Sequence, residues 1–375
     1  MSSLLITNGS VLDPQRSVLE PRDVWVVDGK IAAEGPTGGA EDTLDATGLL
    51  VSPGFVDLHT HVFSGQDLGV EADLLAARAG TTTLIDAGSA GGHLFSAFRA
   101  TTVDRAQTRI RAFVNIASIG TTSILLGGEL KAMYYSDEDV AVECIENNRD
   151  VVLGVKVRAS FDVGGENAPE GLRRARRVAD RVGLPLMVHL GPAPASIDEI
   201  ADTLREGHII THSFTGWAGN TVVENGALRP SIRAARDRGV LLDIGHGMSG
   251  FSIETARQMM HLGEAPDTIS TDLHTYSLPI VIDLPTVLSK FLALGMPVTD
   301  ALTRATLAPA RAAGLDGHGI GTLEPGAPAD IALLRLDAQP VEFGDGFGAT
   351  IAGSQVLTTR ATVRGGEVVF RAESS

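Results

Sequence analysis

Two histidines introduce the chemistry of this chain. His59 and His61 stand two apart in the apolar run GFVDLHTHV. On a β-strand, residues two apart share a face, so both imidazoles point the same way. Alone, such a pair fits a satisfied structural role as well as a ligand role. Lys156 changes the balance. It lies inside VVLGVKVR, a pattern that asks for burial, and a buried ammonium needs a partner, a lowered pKa or a covalent change. His189 lies at the end of the next apolar run, LPLMVHL, His212 ends HIITH, and Asp272 ends TISTD. Imidazole nitrogen and carboxylate oxygen are the donors a zinc-type ion takes, with one coordination position left for water. A carboxylate such as Asp272 can also accept a proton from an attacking hydroxide and pass it to a leaving group. The six residues together point to a metal site.

A repeating unit must position them. Strand-like runs end near His61, Ala87, Ile116, Arg158, Leu190, His212, His246 and Asp272, about 30 residues apart, the length of a strand–helix–strand unit. The segments between carry helix signals. Pro169 opens a run with Leu172, Ala175, Ala179 and Val182 at helical spacing and Gly183 as its stop. Ser196 and Glu199 form a capping box, and Pro285 opens VLSKFLALG, closed by Gly295. Eight such repeats predict an α/β fold, a (β/α)8 TIM-type barrel with its site at the carboxyl ends of the strands. The candidate residues fall at the ends of strands one, four, five, six and eight. Both termini read as strands broken by Asn-Gly, Asp-Gly and Gly-Gly turns, too little for independent cores. The expected division is residues 1–52 and 317–375 as two parts of one small β-sandwich, around the barrel over 53–316 that carries the metal site.

VSPGFVDLHTHVF, the strand around Lys156 and GTLEPGAPADIALL, with VHLGPAP, THSFTG, DIGHG and STDLHT, resemble the amidohydrolase superfamily over nearly the whole chain. The likeness is to its dihydroorotase-like, deacetylase-type members. The resemblance implies two divalent ions, usually zinc: His59, His61 and Asp272 would hold one, and His189 and His212 the other. Lys156, converted by carbon dioxide to N6-carboxylysine, would bridge them. The charges favour this arrangement. Two divalent ions bring four positive charges, whereas neutral imidazoles and one carboxylate supply a single negative one. A carbamate and a bridging hydroxide add two more, which makes the assembly far less costly to bury. The amine must be neutral to form the carbamate, and an apolar strand favours that form. The implied function is hydrolysis of an amide or ester (acyl or acetyl) bond in a small, carboxylate-bearing molecule by the metal-bridging hydroxide. One alternative is a cyclic amidohydrolase of the dihydroorotase or hydantoinase kind. Another is a metal-free, non-catalytic scaffold of the same fold, against which the complete ligand set argues.

Other residues carry weaker signals. Arg158, two residues beyond Lys156 on the same strand face, either clamps a substrate carboxylate or makes a rim ion pair. GHGMSG (Gly245 to Gly250) matches a dinucleotide fingerprint, but in the seventh repeat it fits a pocket loop better, with His246 touching substrate. Ala87-Gly88-Ser89-Ala90-Gly91 imitates a nucleophile elbow, the basis of a rival serine mechanism. Tyr134 and Tyr135 are placed to border the pocket, whereas His93, His208, His261, His274 and His318 default to loop or structural roles. The five arginines from Arg173 to Arg181 read as the solvated face of a helix. Only about 22 residues separate strand ends five and six, and no long insertion over the mouth is expected.

Charge and composition narrow the partners. The 375 residues include 30 basic and 46 acidic side chains, a net charge of −16, a poor field for nucleic acid or an anionic membrane. Apolar residues at 43% allow a sizeable core and exclude a disordered chain. Cys144 is the only cysteine, so no internal disulfide or thiolate metal site exists. The start lacks the basic and apolar regions of a signal peptide, and no run reaches a membrane span. The expectation is a cytoplasmic enzyme of a small molecule, able to form a homo-oligomer.

Overall fold

The computed structural model describes residues 2–373. Seven parallel strands run in chain order: Phe55–Thr60, Thr81–Gly91, Arg109–Asn115, Val152–Arg158, Leu186–His189, Ile209–Thr211 and Leu241–Leu242. The eighth position has no regular strand. Residues 268–273 close the ring through isolated parallel bridges, Asp243 to Thr268 and Thr60 to Leu273. Side chains supply much of the missing ladder. Thr268 and Ser270 hydroxyls donate to Asp243 at 2.7 and 2.8 Å, and the Thr271 hydroxyl and amide donate to Asp57 at 2.6 and 3.0 Å. The barrel is therefore closed, with its last seam made by buried carboxylates bonded to hydroxyls.

Helices cover the outside where the caps place them. The helix Ala168–Val182 stops at Gly183, which takes φ 65° and donates its amide to Ala179. Its buried stripe includes Leu172, Ala175, Ala179 and Val182. Arg173, Arg177 and Arg181 pair with Glu170, Glu138 and Asp139 on a solvated face, but Arg176 departs from that expectation: it is buried, pairs with Asp180 and donates to the Thr203 carbonyl. Ser196 accepts the Glu199 amide at 3.1 Å to open the helix Ile197–Thr203. Asp283 accepts the Thr286 amide at 2.8 Å to open Leu284–Ala293.

The termini build two further sheets. One holds four strands, the other six, and the second pairs Leu50–Pro53 from one end of the chain with Ile331–Gly344 from the other. Leu4, Ile6, Val24 and Leu44 share a single apolar cluster with Val51, Ile331, Leu333 and Val363, so neither part has a core alone. The C-terminal strands are longer than a small sandwich needs. Ile331–Gly344 and Thr350–Arg364 form a hairpin of 14- and 15-residue strands that lies against the helix Leu284–Ala293 and carries its tip to the barrel mouth. Among the described residues, no helix is long and apolar enough to cross a membrane.

Candidate metal centre

The carboxyl ends of the strands bring His59, His61, Lys156, His189, His212 and Asp272 to one cavity of about 290 Å³. Asp272 sits at its centre. One carboxylate oxygen lies 3.3 Å from Nε2 of His59 and 3.3 Å from Nε2 of His61, and the other lies 4.0 Å from Nε2 of His212. Candidate donor atoms of His59, His212 and Asp272 lie within 4.8 Å of one another. The rings form a chain, with centroids 5.5 Å apart for His61 and His59, 5.0 Å for His59 and His212, and 4.3 Å for His212 and His189. Lys156 Nζ lies 3.3 Å from His59 Nε2 and 3.5 Å from Met187 Sδ. His212 and Asp272 both take left-handed backbone, φ 61° and 48°, a conformation that costs a non-glycine residue about 1–2 kcal/mol. Such strain collects where side-chain direction matters more than local comfort.

Second partners determine which nitrogen faces the cavity. The Thr211 hydroxyl donates to Asp243 at 2.7 Å, so at 2.7 Å from His59 Nδ1 it can only accept, and Nδ1 carries the proton. Ser89 repeats the arrangement: its hydroxyl donates to Asp86 at 2.7 Å and accepts from His61 Nδ1 at 2.8 Å. His212 Nδ1 lies 2.6 Å from the Gly245 carbonyl, which accepts only. All three imidazoles therefore turn an unprotonated Nε2 toward Asp272, the arrangement a metal-binding histidine needs. The Nε2 of His212 is buried with no hydrogen-bond partner, an arrangement that costs free energy unless a ligand occupies it.

Electrostatics agrees with the geometry. Burial, reinforced by Lys156, holds His59 well below the ordinary histidine value, and burial lowers His212 to about 4. Both rings are neutral, as ligands must be. Burial raises the Asp272 carboxyl, while the charge that His59, His274 and His212 carry when protonated, with a His61 hydrogen bond, pulls it well below its ordinary range. Lys156 is brought down to about 7 by burial, with Asp272 and Asp243 pulling the other way. A large fraction is thus the free amine near neutral pH. The donor set fits divalent ions, and the amine is of the kind that reacts with carbon dioxide.

Several expectations need correction. His246 does not touch the cavity. The seventh strand ends at Leu242, and Gly245 and Gly247, both at φ 47°, turn the chain so that the His246 ring is fully buried and stacked on Phe251. The glycines of GHGMSG serve the site rather than a nucleotide. A Cβ on Gly247 would lie 2.2 Å from Asp272 Oδ2, and one on Gly250 would lie 2.2 Å from His212 Nδ1. Ser89 is buried, commits its proton to Asp86 and does not line the cavity, which removes the serine mechanism. Tyr134 and Tyr135 lie in a short turn away from the cavity wall. His274, assigned a structural role, lines the cavity with Nε2 4.0 Å from Asp272. The available signal was its place two residues after Asp272, the spacing of His59 and His61. The segment after the third strand also reaches the mouth, where Ile124 and Gly127 form part of the wall.

Arg158 lines the cavity and stands 3.7 Å from both Glu129 and Asp162. Its guanidinium makes no direct hydrogen bond among the described residues, so it combines a loose ion pair with donors turned to the cavity. Trp217 and Met248 form an apolar side of the wall.

Residues 50–369 match the sequence profile of the Amidohydrolase family. A deacetylase of Agrobacterium fabrum is 35% identical over 91% of this chain and 85% of that protein. A deacetylase of Enterococcus faecalis is 30% identical over 97% and 98%. Among solved structures, an adenine deaminase superposes with TM-score 0.90 at 28% identity, covering 99% of this chain and 100% of that one. A dihydroorotase does so with 0.89 at 32%, covering 98% and 97%.

Proposed function

We propose, from a chain that belongs to the amidohydrolase family, a binuclear metal-dependent hydrolase that removes an acyl group, as amide or ester, from a small carboxylate-bearing molecule. The observation that carries the metal assignment is the set of three imidazoles whose protons are committed to Thr211, Ser89 and Gly245, leaving Nε2 of each turned to Asp272. His59, His61 and Asp272 would hold one divalent ion, zinc by donor chemistry, and His189 and His212 a second, with Lys156 bridging as its carbamate. Bound there, the ions would acidify a water and polarise the scissile carbonyl. Asp272, buried among these rings, accepts the proton of the attacking water at its carboxylate and returns it to the leaving nitrogen or oxygen. Arg158 orients the substrate carboxylate beside the scissile bond.

The test is metal analysis followed by a screen of acyl esters, N-acyl amino acids and cyclic ureides with metal-loaded protein. Under about half an equivalent of metal in a loaded sample would reject the metal centre. A preference for cyclic ureides would favour the ring-opening reading, which the structural likeness to a dihydroorotase supports. Arg158→Met should raise KM for carboxylate-bearing substrates and leave neutral ones nearly unchanged. Equal loss on both would return Arg158 to a barrel-rim role.

A further inference from the structure

Behind the cavity wall lies a fully buried lysine that the hydrolytic chemistry does not use. Lys290, on the helix Leu284–Ala293, is 1% exposed. Its Nζ donates to three acceptors: Nε2 of His246 at 2.9 Å, the Ile280 carbonyl at 3.1 Å and the Gly344 carbonyl at 2.9 Å. An ammonium has three protons, so each finds one partner, which is the condition for burying such a group. Burial brings Lys290 down to about 8, with Asp345 opposing it, and brings His246 to about 3. A charged lysine thus faces a neutral imidazole whose Nδ1–H donates to the Gly247 carbonyl at 3.0 Å.

These bonds tie together two parts of the site that are distant in the chain. On one side, His246 lies inside the turn that passes between His59, His212 and Asp272, where the Gly247 amide donates to Thr271 at 2.8 Å. On the other, Gly344 ends a long strand whose hairpin tip continues onto the barrel mouth. Asp345 there accepts the Ile253 amide at 2.8 Å and the tip amides of Phe347 and Ala349 at 2.8 and 2.9 Å. The Phe347 ring packs edge-on against Trp217 with centroids 5.7 Å apart. Gly346 lies so close to Met248 that a Cβ would overlap its carbonyl. Trp217 and Met248 both line the cavity.

We propose that Lys290 is a positioning residue: through His246 it holds the Gly245–Gly247 turn under Asp272, and through Gly344 it makes the C-terminal hairpin tip the support of the Trp217–Met248 wall. The proposal rests on the reading of Asp272 as a working group of the metal site. The experiment separates the two. Lys290→Met is made in a Trp25→Phe background, which leaves Trp217 as the only indole, and zinc affinity, acrylamide quenching of Trp217 and thermal unfolding are measured. Zinc affinity should fall up to about 10-fold, the low end of the loss seen when a group bonded directly to a ligand is removed, because Lys290 acts through His246, and Trp217 should become more accessible to quencher well below the unfolding temperature. A lysine that merely holds the fold together would lower the unfolding temperature and leave both readouts at wild-type values; that result overturns the proposal. Should Lys290→Met not fold, Lys290→Gln, which keeps an amide donor for one carbonyl, should show the same two changes in smaller measure, and wild-type values for both overturn the proposal. Gly346→Ala drives a Cβ into the Met248 carbonyl and so presses on the wall and the turn together; Trp217 quenching and zinc affinity should both change, and both unchanged would also overturn the proposal. Failure of the hydrolase reading shows elsewhere, as zinc binding without turnover on any acyl substrate.

Discussion

Thr211→Val changes one buried atom and tests the orientation of His59. The valine has nearly the volume of threonine, so packing is preserved, and Thr211 is fully buried, so no bulk water replaces the lost hydroxyl. Two bonds disappear, from His59 Nδ1 at 2.7 Å and to Asp243 Oδ2 at 2.7 Å. Asp243 keeps the hydroxyls of Thr268 and Ser270, whereas the nearest acceptor left to the His59 proton is Asp243 Oδ2 at 3.9 Å, beyond hydrogen-bond reach. An unpaired buried donor costs about 1–3 kcal/mol. The imidazole can avoid that cost in metal-free protein by moving its proton to Nε2, which lies 3.3 Å from Asp272 Oδ1. That tautomer bonds Asp272 and cannot ligate an ion. Metal binding must reverse the exchange, so zinc affinity should fall about 10–100-fold, or roughly 1.4–2.7 kcal/mol. Chelator competition measures it, with urea unfolding of metal-free protein as the check on folding. Thr211→Ser should restore most of the loss. Affinity within a factor of two of wild type in a folded Thr211→Val protein would refute the orientation argument.

Three further outcomes follow from the same geometry. Gly247→Ala places a Cβ 2.2 Å from Asp272 Oδ2 at φ 47°, and the left-handed backbone alone costs about 1–2 kcal/mol; metal content and turnover should both fall, and normal metal content would show that the turn does not support Asp272. In metal-free protein, Lys156 sits near 7 against an ordinary 10.5, so between those values the unfolded chain holds a proton that the folded one lacks, and stability rises with pH across that window. Metal-free Lys156→Met should accordingly be more stable than metal-free wild type below pH about 7 and converge with it toward 10.5; urea titrations showing a constant gap would refute the burial argument. Asp272→Asn should lose far more turnover than metal, because the amide oxygen still ligates weakly but accepts no proton, and near-normal turnover would exclude the proton-transfer role.

Much of the fold and half of the site's logic are local, and local logic is readable in a sequence. The shared face of His59 and His61 follows from the period of a strand, and the oddity of Lys156 follows from its Val neighbours. The stop at Gly183 and the caps at Ser196 follow from helix termini that need a left-handed residue or a side-chain acceptor. Chain order also gives the succession of barrel strands, because each strand pairs with the next. Other features depend on partners far along the chain. Asp57 and Thr271, 214 residues apart, make the seam that replaces the eighth strand. His246 carries the residue type of a ligand, yet two glycine φ angles of 47° rotate it away from the cavity. His274, two residues beyond the left-handed Asp272, enters the cavity with its Nε2 4.0 Å from that carboxylate. Lys290 resembles any helix lysine until the hairpin brings Gly344 to it. Periodicity encodes which face of an element is buried. Which buried polar group meets which depends on closing the barrel and folding both ends of the chain against it, and only the tertiary structure decides that.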